Sequence, residues 1–404
     1  MKNILLIVQK LNGGGAERAI ANLSKDLSKK FNVFLAVFDG SNIAYPYSGE
    51  LIDLQLPPQK GKVNKVKNII KRIKMIKKIK REKEIFCSIS FMPGANLVNI
   101  LSKKYDFVIT SERNMMSMII KSKISKFVIK KIAQYSDKTV ALSNGVKEDL
   151  ISNFRIKDSK IVTIYNSCEK KWFMRTSNKT EEIISQLNDK NKYIVTVGRL
   201  HYQKGQWHLL KAFKLIQHNI PEARLIILGV GELEYDLKCL ANNLGIADKV
   251  KFYGYVKNHH KILEKCNVFV FPSLVEGLGN AILEAMACGL PIISTDCFSG
   301  PREIIAPNTE IINKISNYEE CEFGILVPPF KMEGMDLNNL DISKEERIMA
   351  KAIEKVLVNE EIAKYYSKRS LNRINDFSSE KICKEWIELI NEVSMKKKNK
   401  LRRK

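Results

Sequence analysis

Short apolar runs rich in β-branched residues recur along the chain, and each gives way to a polar or glycine-containing turn. In the first half these runs lie at 4–8, 32–37, 85–91, 106–110 and 138–142, with helices predicted at about 16–29 and 63–83. The pattern restarts with runs at 193–197, 224–228, 250–253, 268–272, 291–295 and 324–329. Between and after these runs, helices are predicted at about 207–217, 233–244, 259–265, 281–287, 344–357, 359–370 and 379–393. Strands that alternate with helices are typical of doubly wound α/β domains.

The repeated pattern predicts two tandem domains, which is a comfortable number for 404 residues. We expect an N-terminal Rossmann-like domain at 1–168, completed by the 379–393 helix, and a C-terminal one at 169–378. The polar stretch 166–188 is predicted to be the linker. Residues 394–404 are expected to form a basic, disordered tail.

The net charge of +24 is unevenly distributed. Residues 1–168 carry +18 and the 396–404 tail +7, whereas residues 169–395 carry −1. This asymmetry indicates that the first half meets an anionic membrane, nucleic acid or polyanion. No apolar run reaches the roughly 20 residues of a membrane span, and the apolar start is predicted to be a buried strand rather than a signal peptide. The eight scattered cysteines indicate reduced thiols and no structural zinc site.

The predicted 63–83 helix is unusually basic, with ten lysines and arginines between residues 62 and 82. Its apolar residues recur at helical spacing and are expected to face the sheet: Val63, Val66, Ile69, Ile70, Ile73, Ile76 and Ile79. The lysines exceed what solubility requires, and anionic lipid headgroups or a diphosphate-lipid acceptor would account for them. Nucleic acid is not the expected partner, because aromatic residues do not interleave with the lysines.

The stretch 268–304 carries the most chemistry. It reads as strand, glycine loop, helix, strand and second loop, with Glu276 in the first loop and Glu284 on the helix. Ligands of open α/β sheets bind at the carboxyl ends of the strands. Glycine N–H groups at a helix N-terminus suit an anion. Two carboxylates beside an anion site suit a ligand with phosphates at one end and sugar hydroxyls at the other.

Four loops of the second half follow predicted strands and should line one crevice: 198–205, 229–232, 272–280 and 296–302. They offer Arg199 and Lys204, a forked donor and a point charge that together suit a diphosphate. No Asp-x-Asp triplet occurs in the sequence. We therefore expect no nucleotide-sugar metal site of that kind. A bound cofactor is not expected either.

Several segments resemble glycosyltransferase family 4: NGGGAERAIANLSKDL (12–27), VGRLHYQKG (197–205), LGVGE (228–232), FYGYV (252–256), PSLVEGLGNAILEAMACGLPIIST (272–295) and GPREI (300–304). The resemblance covers nearly the whole chain and is most specific at 193–304. It implies a GT-B fold, with two Rossmann-like domains facing across a cleft. It also implies a retaining transfer from a nucleotide sugar without a metal.

Matched by position, the resemblance implies that Arg199 and Lys204 hold the donor diphosphate and Glu284 the ribose hydroxyls. Glu276 would contact the donor sugar. The backbone of Gly277, Leu278, Gly279 and Asn280 would face the phosphates, and Tyr255 and Val256 would meet the base. Gly14 and Gly15 match the glycine loop that approaches the donor phosphate from the first domain.

The chain departs from the family at one point. Many members carry a histidine after a mid-domain strand of the first half, but here all five histidines lie in the second half. Glu112 and Arg113 stand at the matching segment, with roles that the resemblance does not define. The absence of a histidine base fits a front-face mechanism, in which the departing diphosphate takes the acceptor proton while Arg199 and Lys204 stabilise its charge.

The sequence thus predicts a retaining, metal-independent glycosyltransferase that moves a sugar from a UDP-linked donor to a lipid-linked glycan acceptor. The enzyme is expected to be cytoplasmic and peripheral at the inner membrane face, held by the 62–83 helix and the 396–404 tail. By analogy with bacterial surface-polysaccharide and lipid-linked oligosaccharide enzymes, the sugar could be an N-acetylhexosamine. The alternatives are a GT-B nucleotide-sugar epimerase and a basic, non-enzymatic nucleic-acid-binding protein.

Overall fold

The structure, a computed structural model, describes residues 1–120, 122–168, 178–310, 315–332 and 334–402, with no side chains described for 396–402. The chain divides into two compact units. Unit 1 comprises Met1–Ser167 and Ser379–Lys404, and unit 2 comprises Cys168–Ser378. For comparison, the sequence predicts 1–168 with 379–393, and 169–378.

Unit 1 is a seven-stranded parallel sheet with helices on both faces. Its elements are β1 (Asn3–Val8), α1 (Gly15–Leu27), β2 (Asn32–Val37), β3 (Glu50–Asp53), α2 (Lys62–Glu82), β4 (Cys87–Phe91), α3 (Pro93–Leu101), β5 (Phe107–Glu112), α4 (Met116–Ile119), α5 (Lys123–Tyr135), β6 (Lys138–Ala141), α6 (Asn144–Phe154) and β7 (Ile161–Thr163). The strand order is β3-β2-β1-β4-β5-β6-β7, with every pairing parallel. The order reverses between β1 and β4, as in a Rossmann-like domain.

Unit 2 repeats the architecture, again with a strand-order reversal, here between β8 and β11. Its elements are α7 (Asn178–Ser185), β8 (Lys192–Val197), α8 (Gln206–Asn219), β9 (Ala223–Leu228), α9 (Glu234–Asn243), β10 (Val250–Gly254), α10 (His260–Leu263), β11 (Val268–Phe271), α11 (Asn280–Ala287), β12 (Ile292–Thr295), α12 (Pro301–Ile305), β13 (Glu319–Cys321), β14 (Gly324–Val327), α13 (Lys344–Val358) and α14 (Glu360–Arg373). The strand order is β10-β9-β8-β11-β12-β14-β13, with only the β13–β14 pairing antiparallel among the described strands. Both units are therefore doubly wound α/β domains, as predicted.

The last helix, α15 (Ser379–Arg402), returns to unit 1 and packs against α1. Trp386 is buried there and stacks on Phe91 at 5.9 Å between ring centroids. The helix runs beyond residue 393, so the prediction of a disordered tail is wrong as far as Arg402, while 403–404 lie outside the described residues. Lysine is a good helix former, and packed turns that already exist remove the cost of nucleation for the turns that follow.

The predicted linker 166–188 also differs from the structure. Residues 169–177 lie outside the described residues, whereas 178–185 form helix α7 of unit 2. This helix has Thr180 and Ile183 buried three residues apart, which is too short a pattern to stand out in a polar stretch.

Helix α2 confirms the predicted stripe in part, since Ile76 is buried and Ile73 and Ile79 pack against the same core. Its buried residues are Asn68, Arg72, Ile76 and Lys80, at four-residue spacing, whereas Val63, Val66 and Ile70 are exposed. The buried cations have partners, as buried charges require. Lys80 lies 2.8 Å from the Asp106 carboxylate, and Arg72 donates to the Leu56 carbonyl. Polar groups satisfied in this way can occupy a packed face, so apolar spacing alone identified only part of that face.

All eight cysteines are free thiols. Among the helices in the described residues, none is both long enough and apolar enough to cross a membrane.

Candidate active site

The predicted site loops of unit 2 gather at one edge of its sheet. Loop 198–205 follows β8 and loop 272–279 follows β11, and these neighbouring strands flank the point where the strand order reverses. Helices leave such a point in opposite directions, which opens a crevice at the carboxyl ends of the strands. The sheet order therefore brings together segments that lie about 70 residues apart in sequence.

Hydrogen bonds fasten these loops to one another. Leu274 N–H donates to the Gln203 carbonyl (2.9 Å), Leu200 N–H to the Val230 carbonyl (3.0 Å), and the Ser299 hydroxyl to the Gly277 carbonyl (3.0 Å). Gly300 has a φ of +79°, and a Cβ there would lie 2.3 Å from the Leu278 carbonyl oxygen. Only glycine fits that approach. The four loops thus form one connected rim.

Lys204 and Glu276 form an ion pair on this rim, with Lys204 Nζ donating to Glu276 Oε1. Glu276 is buried, and Lys204 is half-buried with its ammonium 5.3 Å from the centre of the Phe271 ring. Arg199 lies on the same loop as Lys204 and is exposed. The rim thus presents two cations and a carboxylate, a set that can take up both phosphate oxygens and hydroxyl groups.

Glu284 lies on α11 and is buried with only 6% of its surface exposed, rather than solvated. His259 Nε2 lies 2.8 Å from Glu284 Oε2, and His259 Nδ1 lies 3.4 Å from the Val256 carbonyl oxygen. His259 therefore links Glu284 to the backbone of the predicted base-contacting segment. Within that segment Val256 is buried, whereas the Tyr255 ring is 60% exposed.

Sequence reasoning missed His259. It assigned this histidine only to the start of a helix after β10. The available signal was that His259 lies in the loop after β10, a strand whose carboxyl end lies at the same sheet edge as the predicted site loops.

The N-terminus of α11 completes the rim. Gly279 is its N-cap, with a φ of +97°, and Asn280 is its first residue. Gly277, Leu278 and Gly279 are buried. The first N–H groups of a helix have no partner inside it and carry partial positive charge, so this eight-residue helix starts where an anion would be stabilised.

Arg302 supports the rim through ion pairs with Asp296 and Glu319. Its guanidinium binds Asp296 through two hydrogen bonds, Nε to Oδ1 (2.9 Å) and Nη2 to Oδ2 (2.8 Å), and also reaches Glu319 at 2.8 Å. Arg302 and Asp296 have side chains 4% and 7% exposed. The ion pair between Arg302 of the GPREI segment and Asp296 therefore holds the 296–302 loop in place, whereas the sequence only marked that loop as part of the crevice.

The rim lies within a segment that matches a known protein family. The family model described as "Glycosyl transferases group 1" matches residues 177–322, which contain the whole rim. An uncharacterised glycosyltransferase of Methanocaldococcus jannaschii is 36% identical over 311 residues, which span 75% of this chain and 76% of that protein. The chain belongs to the group 1 glycosyl transferases.

A further relative and a solved structure match this transferase over nearly its full length. The N-acetylgalactosamine-N,N'-diacetylbacillosaminyl-diphospho-undecaprenol 4-alpha-N-acetylgalactosaminyltransferase of Campylobacter jejuni is 26% identical, covering 95% of this chain and 98% of that protein. The crystal structure of Anabaena Alr3699/HepE in complex with UDP and glucose superposes with a TM-score of 0.75 at 17% identity, covering 97% and 100%. At that identity the likeness shows a shared fold, which is the predicted GT-B class.

In unit 1 of the transferase, Glu112 and Arg113 end β5 as two buried charged groups. Asn96 Nδ2 donates to Glu112 Oε1 (2.9 Å), while Glu112 Oε2 has no hydrogen-bond partner in the described part of the chain. Burial raises the pKa of Glu112 to about 7, although the Asn96 bond lowers it in part. Burial likewise lowers the pKa of Arg113 to about 9.

Arg113 is held by neutral partners. Its guanidinium donates to Ser111 Oγ (3.1 Å) and to Asn166 Oδ1, and lies 4.5 Å from the centre of the Phe91 ring. Glu112 and Arg113 are 2% and 5% exposed, so neither side chain lies open to a substrate in this structure.

The predicted glycine loop of unit 1 follows β1. Gly14 is the N-cap of α1 and Gly15 its first residue, and the Glu17 carboxylate folds back so closely that a Cβ on Gly14 would lie 1.9 Å from Glu17 Oε2. The loop thus places a second helix N-terminus at the β1–β4 reversal of unit 1. The other predicted donor-binding residues belong to unit 2.

Within the described residues, one group could offer three metal-ligand atoms, namely His259, His260 and Glu284, with these atoms within 4.8 Å of one another. The two imidazoles stack with centroids 4.6 Å apart and planes 24° apart. Ring-nitrogen lone pairs lie in the ring planes, so those of stacked rings run side by side instead of converging. In this arrangement the group is better suited to hydrogen bonding than to chelation.

Proposed function

We propose that this chain is a retaining glycosyltransferase that moves a sugar from a UDP-sugar to a lipid-linked glycan acceptor without a metal. The observation that carries the proposal is the rim at the β8–β11 reversal, which brings the Arg199–Lys204 loop, Glu276 and the N-terminus of α11 to one sheet edge, with Glu284 buried on the same helix. Cations and a helix N-terminus suit a diphosphate, and carboxylates suit sugar and ribose hydroxyls, which are the groups of a nucleotide sugar.

Each side chain has a distinct role in this proposal. Glu284 accepts hydrogen bonds from the ribose hydroxyls, and the backbone at Val256 contacts the base. Arg199 and Lys204 neutralise the diphosphate together with the N–H groups at the start of α11. The Glu276 carboxylate, now paired with Lys204, exchanges that contact for hydroxyls of the donor sugar.

The proposed reaction proceeds on one face of the sugar. The bond between C1 and the phosphate oxygen breaks, and the acceptor oxygen forms its bond to C1 on the same face. The acceptor proton passes to the departing phosphate oxygen. Negative charge develops on the diphosphate, where Arg199, Lys204 and the α11 N-terminus lie, so these groups stabilise the transition state more than the ground state. No histidine base is needed in unit 1.

The acceptor is proposed from the relatives and the charge. The printed name of the Campylobacter jejuni relative describes transfer to a diphospho-undecaprenol-linked saccharide. Lys71, Lys74, Lys77 and Lys78 of α2 are all exposed, and residues 1–168 carry +18. We therefore propose that α2, with the basic 396–404 stretch, holds the enzyme at the anionic inner face of the cell membrane, where such acceptors would be reached.

The test is a screen of UDP- and GDP-sugars for thermal stabilisation of the purified protein, followed by transfer assays with a diphospho-undecaprenol-linked saccharide. We expect one UDP-sugar to stabilise the protein, with transfer in the presence of EDTA. We expect an α-linked product from an α-linked donor, measured by NMR.

A β-linked product, or dependence on added manganese or magnesium, would refute the proposed mechanism. Epimerisation of the donor without an acceptor would instead identify an epimerase. Tight nucleic-acid binding without UDP affinity would identify a binding protein.

A further inference from the structure

Helices α4 and α5 expose large apolar side chains on one side of unit 1. Ile119 is 62% exposed, Ile124 78% and Phe127 59%. The opposite side of α5 is packed, with Ile129, Ile132 and Ala133 buried. Helix α5 therefore packs through its C-terminal half, while Ile124 and Phe127 leave apolar surface exposed at its N-terminal end. Exposed apolar side chains clustered in this way mark an interaction surface.

Helix α5 is also basic, with Lys123 and Lys131 exposed and Lys126 and Lys130 half-buried. Lys123, Lys126, Lys130 and Lys131 lie on this 13-residue helix, which has no acidic residue. Lys131 Nζ lies 5.3 Å from the centre of the Phe127 ring, so cation and aromatic ring share the outer surface. Helices that lie in the headgroup region of a bilayer combine exposed apolar residues, such as isoleucine and phenylalanine, with bordering lysines.

The neighbouring helices extend the surface. Helix α5 packs on α3, and α3 packs on α2, in one layer over the sheet. The outer side of α2 adds exposed Val63, Val66 and Ile70 among its lysines. Together α2 and α5 hold fourteen lysines and arginines and a single acidic residue, Glu82. A protein partner for this layer would need a matching excess of acid, whereas an anionic bilayer supplies both negative charge and an apolar interior.

We infer that the outer side of α4–α5 inserts its apolar side chains into the interface of an anionic bilayer, while the α2 lysines rest on the headgroups. This inference rests on the membrane location in the proposed function and extends it. Attraction by α2 is electrostatic and decays within about 8 Å at physiological salt, whereas insertion by Ile119, Ile124 and Phe127 depends on apolar burial and persists in salt.

The experiment compares three variants of the full chain by co-sedimentation with phosphatidylglycerol-containing and pure phosphatidylcholine vesicles, at low and at high salt. The first variant carries Ile124→Gln and Phe127→Gln. The control carries Met332→Gln and Val358→Gln, two exposed apolar residues of unit 2. The third carries Gln at four α2 lysines: Lys71, Lys74, Lys77 and Lys78.

We expect wild type and control to retain binding to anionic vesicles at high salt. The variant with Ile124→Gln and Phe127→Gln should lose about 30-fold there. The four-lysine variant should lose about 100-fold at low salt and comparatively little at high salt. Circular dichroism and UDP affinity should be unchanged in all three, so a failed donor assay would count against the proposed function and not against this inference.

A second measurement does not depend on loss of binding. The Ile124→Trp variant should show a blue-shifted emission on anionic vesicles and quenching by brominated lipid beyond that of wild type, whose three tryptophans, Trp172, Trp207 and Trp386, supply the background signal. Equal high-salt binding of wild type and the first variant would overturn the inference, as would quenching of Ile124→Trp no greater than that of wild type. The inference would also be overturned if light scattering showed that the variant with Ile124→Gln and Phe127→Gln differs from wild type in oligomeric state while it binds vesicles equally. That result would assign the surface to a second copy of the chain.

Discussion

Glu284→Ala is the most direct probe of the donor site. Glu284 is 6% exposed on α11, and its Oε2 lies 2.8 Å from His259 Nε2. If the carboxylate accepts the ribose hydroxyls, alanine removes that acceptor while leaving the diphosphate contacts of Lys204 intact. UDP binding should weaken and transfer should nearly cease, while the fold is kept.

The magnitude follows from the contacts. A hydrogen bond to a charged group contributes about 1.5–3 kcal/mol. His259 already takes up part of the acceptor capacity of Glu284, so we count one ribose hydrogen bond rather than two. The expected loss is therefore about tenfold to a hundredfold in the Kd for UDP, since about 1.4 kcal/mol corresponds to tenfold.

The assay is a cycle of binding measurements by calorimetry. UDP and 2′,3′-dideoxy-UDP are titrated into wild type and Glu284→Ala, and the coupling between side chain and hydroxyls is read from the four affinities. We expect a coupling of about 1.5–3 kcal/mol. Glu264→Ala is the matched control, because Glu264 lies just after α10 and its side chain is 46% exposed.

Two outcomes would refute the reasoning. If Glu284→Ala weakens both nucleotides equally, the coupling is zero, and Glu284 acts through His259 or the fold rather than on the ribose. If the folded variant binds UDP as wild type does, the assignment of Glu284 to the donor site is wrong. His259→Gln separates the two roles, because it removes the partner and leaves the carboxylate to the ribose.

Three further predictions concern other charged groups. Lys204→Ala should lower the transfer rate about 10²- to 10³-fold, whereas Lys190→Ala, a change at an exposed lysine, should leave the rate unchanged. Wild type should stay active in EDTA. Unimpaired transfer by Lys204→Ala, or loss of wild-type activity in EDTA, would contradict the proposed role of Lys204 as the cation of the diphosphate. Burial raises the pKa of Glu112 from 4.5 to about 7, so the native state holds a proton that the unfolded state releases, and the free energy of unfolding should fall by up to about 3 kcal/mol between those pH values. Glu112→Gln should flatten this dependence in urea unfolding at about pH 5 and about pH 7.5, and an unchanged slope would exclude Glu112 as its source. Arg302→Ala leaves Asp296 buried and unpaired and should lower the free energy of unfolding by about 3–5 kcal/mol. Adding Asp296→Asn to the same chain should restore part of this loss. A loss below about 1 kcal/mol would show that the ion pair does not hold the loop.

Local pattern sufficed for most elements of this transferase. The strand β2 was predicted at its observed bounds, and β8, β9, β11 and β12 within one or two residues, because a buried parallel strand is a short apolar run between turn signals. Strands β3, β7 and β13 were missed, since each is short and lies at a sheet edge. Helices α3, α5 and α6 were also missed, as their apolar residues lie within stretches that mix strand and helix signals.

The sequence by itself determined which segments lie at one sheet edge. Arg199, Lys204 and Glu276 were predicted to lie there because loops that directly follow parallel strands begin at the carboxyl edge of the sheet, and Glu284 was predicted on the helix that follows. That inference needs the order of strand, loop and helix along the chain and nothing more distant.

Only the tertiary structure decided which of these groups meet. The pairing of β8 with β11 sets Lys204 against Glu276, and the packing of α10 on α11 sets His259 against Glu284. The exposed apolar side of α5 and the buried cations of α2 were equally beyond sequence reasoning. The physical reason is that burial and pairing depend on which elements become neighbours, and the energies that choose neighbours act between residues far apart in the chain.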